Sequence, residues 1–440
     1  MTAGNLQRSP TDDRSAAPAT ASPAFRPAMA WTITAMLVLF MIVNWADKAV
    51  LGIVAQPLKT ELGLTSAEIG FIGSAFFFLY SISGVAVGFL ANKVKTKWVL
   101  LGLAVLWSVT QVPVLLSATG AALLTSRIAL GAAEGPATAM ASAGAFEWFP
   151  KEKRSLPAAW LNSGASIAKI AVAPLLTLIV VAWGWRAAFL VLALIGVVWC
   201  VAWLLIGREG PYATSRGKAA AQRDDAGLRV PFRRIALSRS FIGGVIGTFT
   251  VYGMVSVILT WLPSYFETGL GFSRVEAGSM FGLPSITGMI GMIGAGWLTD
   301  RMISRGASPR VQRGLIPAVS LLIGGGLLAL LPYIGGAWAA VAVVVVAYGF
   351  MVVSLPVMNA VVSQISPTRQ QPGALGFFLA LQTLSGLFAP ALTGALVDAA
   401  PTPGAGYAQA FQIFGLAVVV GGIAMALMVD PERDARRILG

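Results

Sequence analysis

With 440 residues, 57% of them hydrophobic and only 11% charged, and a mean hydropathy of +0.78, the chain carries more apolar surface than a soluble protein of this size can bury. A soluble fold is excluded. An internal disulfide and a thiolate metal cluster are excluded too, because Cys200 is the one cysteine.

Residues 1–28 are rich in Ala, Pro, Ser and Thr, lack an apolar run, and are expected to form a disordered cytoplasmic tail. The first apolar block starts near Trp31, is too long for a signal-peptide core, and is expected to remain as a span. Eleven more blocks follow, and the twelve lie at about 31–56, 67–91, 97–117, 120–147, 155–181, 186–207, 240–266, 275–299, 312–333, 337–363, 372–398 and 407–429. Each is long enough to cross a hydrocarbon core of about 30 Å as a helix.

Between the sixth and seventh blocks, residues 208–239 are polar and Arg-rich and read as a cytoplasmic linker. The expected division is therefore 29–207 for one six-helix half, 240–429 for the other, and 430–440 for a cytoplasmic C-terminus. An internal duplication supports it. Gly88-Phe89-Leu90-Ala91-Asn92-Lys93-Val94-Lys95-Thr96-Lys97 after the second block is echoed 208 residues later by Gly296-Trp297-Leu298-Thr299-Asp300-Arg301-Met302-Ile303-Ser304-Arg305 after the eighth. The fold class is thus an all-α membrane protein with twelve transmembrane helices in two pseudo-symmetric halves.

Placing the N-terminus inside leaves only Lys59, Arg186 and Arg274 in outer loops and only Lys48, Arg127 and Lys169 in spans; every other Lys or Arg of the 31 falls on the cytoplasmic side. That bias follows the positive-inside rule. It accounts for the net charge of +13 through topology and attraction to anionic membrane lipids, with no nucleic-acid partner. Both termini are expected in the cytoplasm and the whole in a bacterial inner membrane, as a monomer without cofactor or metal.

Twelve spans, a central loop and paired loop motifs resemble the major facilitator superfamily. The second motif copy carries Gly296, Asp300, Arg301 and Arg305 of the familiar pattern, whereas the first has Asn92, Lys93 and Lys97 in place of its acid and arginines.

Charges inside an apolar span are expensive, about 2.5 to 3.5 kcal/mol at the centre on insertion scales, so they mark function. Five occur, all in the first half: Asp47, Lys48, Arg127, Glu134 and Lys169. Three are positive and two negative, so one cation lacks a counter-ion unless an anionic substrate supplies it. The chain has no histidine, which leaves Asp47 and Glu134 as the deep carboxylates able to carry protons if protons drive the process. Arg127 and Glu134, two helical turns apart, share a face but serve different partners. Fixed bridges of Asp47 with Arg127 or Lys48, and of Glu134 with Arg127 or Lys169, are the purely structural alternative.

Asp47-Lys48 in the first span, Arg127, Gly131 and Glu134-Gly135-Pro136 in the fourth, and Trp148-Phe149-Pro150 followed by Arg154 resemble the anion:cation symporter family. The resemblance implies that Asp47 and Glu134 are proton-coupling acids, that Arg127 is the family arginine of the fourth span, and that Lys48 stands where a substrate-binding arginine is usual. It also implies a cavity role for Tyr80. Lys48 gives up the bidentate grip of a guanidinium on a carboxylate, and Ala165 replaces a polar amide frequent in sugar-acid members. An anion with an apolar or aromatic body is therefore favoured over a polyhydroxylated one.

The second half offers neutral polar groups: Ser354 and Asn359 in the tenth block, and Gln382, Thr383 and Ser385 in the eleventh, suited to the uncharged part of a ligand. Pro136, Pro174, Pro284, Pro356 and Pro390 lie inside blocks and can kink them. The expected function is proton-coupled symport of a small organic anion, a carboxylate, by alternating access. An uncoupled uniporter or exporter of the same fold, an intramembrane enzyme using Asp47 and Glu134 as acid and base, and a transporter-like sensor are the rivals.

Overall fold

The computed structural model describes residues 26–90, 94–117, 119–150, 153–213, 230–303, 308–367 and 369–439. Every regular element among them is helical. Eleven stretches are long and apolar enough to cross a membrane. The fourth pass supplies the twelfth span in two pieces, Gly120–Glu134 and Ala137–Phe146, interrupted where Pro136 has no N–H to continue the helical ladder.

The other four prolines behave alike. Pro174 follows a π-helical turn at Ala168–Val172 in the fifth span, Pro284 follows the gap between Arg274–Met280 and Leu283–Ile303 in the eighth, and Pro356 opens the second segment of the tenth, Ser354–Ile365. Pro390 restarts the eleventh at Ala389–Ala399 after a 3-10 turn. Proline tolerates the first turn of a helix, so each break falls just before it.

Some boundaries shift. The first span is Pro27–Leu62, so its helix begins inside the expected tail; residues 1–25 lie outside the described residues. It ends at Gly63, whose φ of +65° is the left-handed cap that glycine provides. Residues 214–229 of the linker also lie outside. The rest of the linker is tied down: Tyr212 donates its N–H to the Glu147 carbonyl at 2.9 Å, Val230 exchanges hydrogen bonds with the Gln370 amide, and Phe232–Ala236 is helical. The C-terminal stretch forms a helix of its own, Pro431–Leu439. Of the paired loop motifs, Asn92, Lys93 and Arg305 fall outside the described residues, as does the side chain of Asp300.

The two halves meet mainly through the first span against the seventh (Arg239–Gly269), the second (Ser66–Leu90) against the eleventh (Gln371–Ala399), and the fifth (Leu156–Trp183) against the eighth. The tightest approaches gather at the end that carries the loops around residues 63–65 and 400–402. There a Cβ on Gly52 would strike the Leu259 carbonyl and one on Gly70 the Pro390 carbonyl. Asp398 accepts from the N–H groups of Ser66 and Ala67 at 3.0 and 2.7 Å, capping the second span from the opposite half. This end of the bundle is closed.

Closure of that kind depends on glycine. Gly70→Val overpacks the seam by about 1 to 3 kcal/mol, enough to shift a two-state gate about tenfold or more. A Thr260→Cys reporter, buried 5% exposed beside this seam, is expected to react with a bulky thiol reagent at least about tenfold faster in the Gly70→Val background. Unchanged labelling would show that the seam does not gate access.

Candidate functional site

The second and fourth spans touch backbone to backbone, since a side chain on Gly131 would collide with the Phe76 carbonyl and one on Gly135 with the Tyr80 carbonyl. That approach carries Glu134 to the first span. Lys48 Nζ stands 3.3 Å from Glu134 Oε2, with side chains 5% and 0% exposed. Lys48 also donates to Asn44 Oδ1 at 2.7 Å, one helical turn back. The rings of Trp45 and Tyr80 face the same ammonium at 4.7 and 5.2 Å from their centroids. Neither Glu134 oxygen receives an aligned hydrogen bond.

Successive helical residues point about 100° apart, so Asp47 faces elsewhere. Its Oδ1 accepts from Gln111 Nε2 at 2.9 Å. Arg127 reaches the main-chain carbonyl of Asp47 at 2.9 Å rather than its carboxylate, leaves Nε and Nη2 without acceptors, and packs its guanidinium over Phe189 at 5.3 Å. The pairing differs from the bridges weighed above, Asp47 with Arg127 or Lys48 and Glu134 with Arg127 or Lys169. Lys48 is the residue that meets Glu134, and Asp47 is held by a neutral amide.

Lys169 stands apart. It is 7% exposed, sits in the π-helical turn Ala168–Val172, and has no ion pair or hydrogen bond among the described residues. Its Nζ lies 5.5 Å from the Trp45 ring centroid and 5.6 Å from that of Tyr348 in the tenth span, so it touches aromatic groups of both halves. A π turn inserts one residue into the helical ladder and rotates the residues after it, which is why such turns recur at functional sites. Opposite it, a Cβ at Gly282 would come within 2.8 Å of the Lys169 carbonyl, so the eighth span abuts this turn. Trp45 thus has a lysine from the first span and a lysine from the fifth at its ring.

The second half contributes unevenly. Ser354 is buried and its hydroxyl donates to the Met351 carbonyl at 2.8 Å. Thr383 is 2.7 Å from Ser81 Oγ and 3.0 Å from the Ala380 carbonyl, a hydroxyl link between the halves. Asn359 Oδ1 and Gln382 Oε1 are buried without a donor, which leaves them acceptors to offer. Tyr80, half-buried, packs against Phe76 with ring centroids 5.3 Å apart and the planes tilted by 37°. The cluster around Trp45 accordingly unites Lys48, Glu134, Tyr80 and Lys169, while Ser354 and Thr383 spend their hydroxyl protons within the protein.

Gln111 and Tyr348 were not anticipated. Gln111 carried a usable signal, an amide within an apolar block; Tyr348 carried none, because its importance comes from facing a lysine of the other half. No group of three or more His, Cys, Asp or Glu side chains suited to a metal occurs among the described residues.

Known proteins agree with this architecture. The chain is 26% identical over 401 residues to the hexuronate transporter of Bacillus subtilis (strain 168), covering 90% of this chain and 94% of that one. It is 27% identical over 412 residues to the probable sulfoacetate transporter of Cupriavidus necator, with 91% and 93% covered, and 24% identical over 425 residues to the D-galactonate transporter of Escherichia coli O6:H1, with 92% and 95% covered. Among solved structures its fold matches the D-xylose-proton symporter at a TM-score of 0.75 and 17% identity, covering 92% of this chain and 99% of that one. The model of the Major Facilitator Superfamily matches residues 36–355, reaching from the first span into the tenth, and the chain belongs to that superfamily of membrane transporters.

Proposed function

We propose that this transporter moves a small organic anion, a carboxylate or sulfonate, together with protons, as a member of the anion:cation symporter family. The observation that carries the reading is Lys169, a buried ammonium with no ion pair among the described residues, poised between aromatic rings of the two halves. A buried charge is stable only with a partner. The substrate supplies one, and the relatives named above, for hexuronate, sulfoacetate and D-galactonate, handle molecules of that charge.

Coupling follows from the Lys48–Glu134 pair. With Glu134 ionised, Lys48 is neutralised locally; with Glu134 protonated, Lys48 joins Lys169 as a second free cation at the Trp45 ring. A proton on Glu134 thereby raises the positive charge offered to the anion, and Asp47 beside Gln111 is the second acid available. Two protons per monoanion make the cargo net positive, and each net charge then gains about 2.3 kcal/mol per 100 mV from an inside-negative potential. The bias of basic residues supports a bacterial inner membrane with both termini and the central linker in the cytoplasm, and on that reading the closed end is the outer one and the site is poised to open inward.

Reconstituted protein tests this. Adding hexuronate, galactonate, sulfoacetate or an aromatic carboxylate outside proteoliposomes should alkalinise the external medium for those that are carried. Uptake without any pH change would replace symport with uniport.

A further inference from the structure

At the end of the bundle that holds the start of the first span and the C-terminal helix Pro431–Leu439, a cavity of about 310 Å³ opens between that helix, the linker helix Phe232–Ala236 and the start of the seventh span. Four arginines line it: Arg233 and Arg234 from the linker helix, Arg239 from the seventh span and Arg437 from the C-terminal helix. None of the four has an ion pair or side-chain hydrogen bond among the described residues. Like charges do not converge on one hollow without cost, so the arrangement calls for an anion.

Asp434 also lines the cavity, but its charge is committed. It accepts from the Ser240 N–H at 2.7 Å and from Arg433 Nε at 3.0 Å. Burial works against its charged form, yet Arg433 and Ser240 outweigh burial and hold its carboxyl below the usual range. Asp434 fastens the C-terminal helix to the seventh span and cannot neutralise four further guanidinium groups.

The surroundings identify the kind of anion. Phe232 at 39%, Leu237 at 67% and Leu439 at 38% exposure present apolar side chains beside the basic hollow. A free anion has no use for such neighbours, whereas a phospholipid places a phosphate next to acyl chains at this depth. Guanidinium groups grip phosphate oxygens in pairs, and basic pockets at helix ends are suited to anionic headgroups.

We propose that the hollow lined by Arg233, Arg234, Arg239 and Arg437 is a specific binding site for the phosphodiester headgroup of an anionic membrane phospholipid. The bound lipid fastens the C-terminal helix to the linker helix and the seventh span. This inference does not depend on what the central site carries.

The full-length protein in phosphatidylcholine nanodiscs, titrated with phosphatidylglycerol, tests it by native mass spectrometry and thermal unfolding. The wild type is expected to retain phosphatidylglycerol and gain thermal stability, and Arg234→Gln/Arg437→Gln to bind it about tenfold or more weakly with the shift lost. Arg26→Gln/Arg310→Gln, which removes two basic residues from elsewhere at the same end, is expected to behave as the wild type. Equal loss in both double variants would reduce the effect to diffuse surface attraction and overturn the site. A shift reproduced by millimolar inorganic phosphate would overturn the lipid in favour of a soluble anion, and undiminished lipid retention by Arg234→Gln/Arg437→Gln would overturn both.

Discussion

Glu134→Gln should abolish accumulation of the substrate against its gradient while leaving exchange of substrate across the membrane intact. Gln keeps the shape of a protonated glutamic acid at a position that is 0% exposed, so the fold tolerates it, but it cannot release a proton. Lys48 is then left permanently without its carboxylate partner, 3.3 Å away in the native protein, and remains available to the anion at every pH. Substrate affinity should consequently lose its dependence on pH, and counterflow should continue within about threefold of the wild-type rate, since only the coupled step is removed. Asp47→Asn should also lower accumulation, with one proton site gone rather than the one beside Lys48. Proteoliposomes loaded with or without substrate, under an imposed pH gradient, separate the two readouts. Full accumulation by Glu134→Gln would remove this carboxylate from the coupling route.

Lys169→Met is expected to weaken substrate binding by about 30-fold or more, because truncating one side of a buried charged contact costs at least about 2 kcal/mol. Stability should move the other way. Lys169 has no carboxylate partner among the described residues, so replacing it with an apolar chain of similar length removes a desolvated charge, and the melting temperature of the ligand-free protein should hold or rise. Lys48→Met makes the contrast. It removes the cation 3.3 Å from Glu134 and should lower the melting temperature, since loss of one member of a buried pair costs up to about 3 to 5 kcal/mol of stability. Lys169→Arg keeps the charge and should restore part of the affinity. A ligand-free protein destabilised equally by Lys169→Met and Lys48→Met would mean that Lys169 has a structural partner after all.

How much of this was visible beforehand depends on the distance over which each feature is decided. The spans were visible because each is a local property, an apolar run long enough to cross a bilayer, and their interruptions because each proline acts on its own turn. Boundaries moved where packing rather than hydropathy sets them: Pro27–Leu62 runs past both ends of the block expected at 31–56, and Pro431–Leu439 is a packed helix in the stretch expected only as a cytoplasmic C-terminus. Its packing rests on Asp434 and the Ser240 N–H, residues 194 apart in the chain, which no local pattern exposes.

The inventory of intramembrane charges was likewise complete in the sequence, along with the surplus of one cation, since counting requires no geometry. Their pairing was not. Lys48 meets Glu134, Gln111 holds Asp47 and Arg127 turns to a backbone carbonyl because the second and fourth spans close on each other at Gly131 and Gly135, and because helix rotation places each side chain against one neighbour only. The surroundings of Lys169 were equally undecided until the π turn at Ala168–Val172 set it beside Trp45 and Tyr348. The sequence by itself thus determined a twelve-span membrane protein with five costly charges in one half. Only the tertiary structure decided their partners, because contacts between helices depend on how closely and at what rotation they pack, and hydropathy along one helix carries neither.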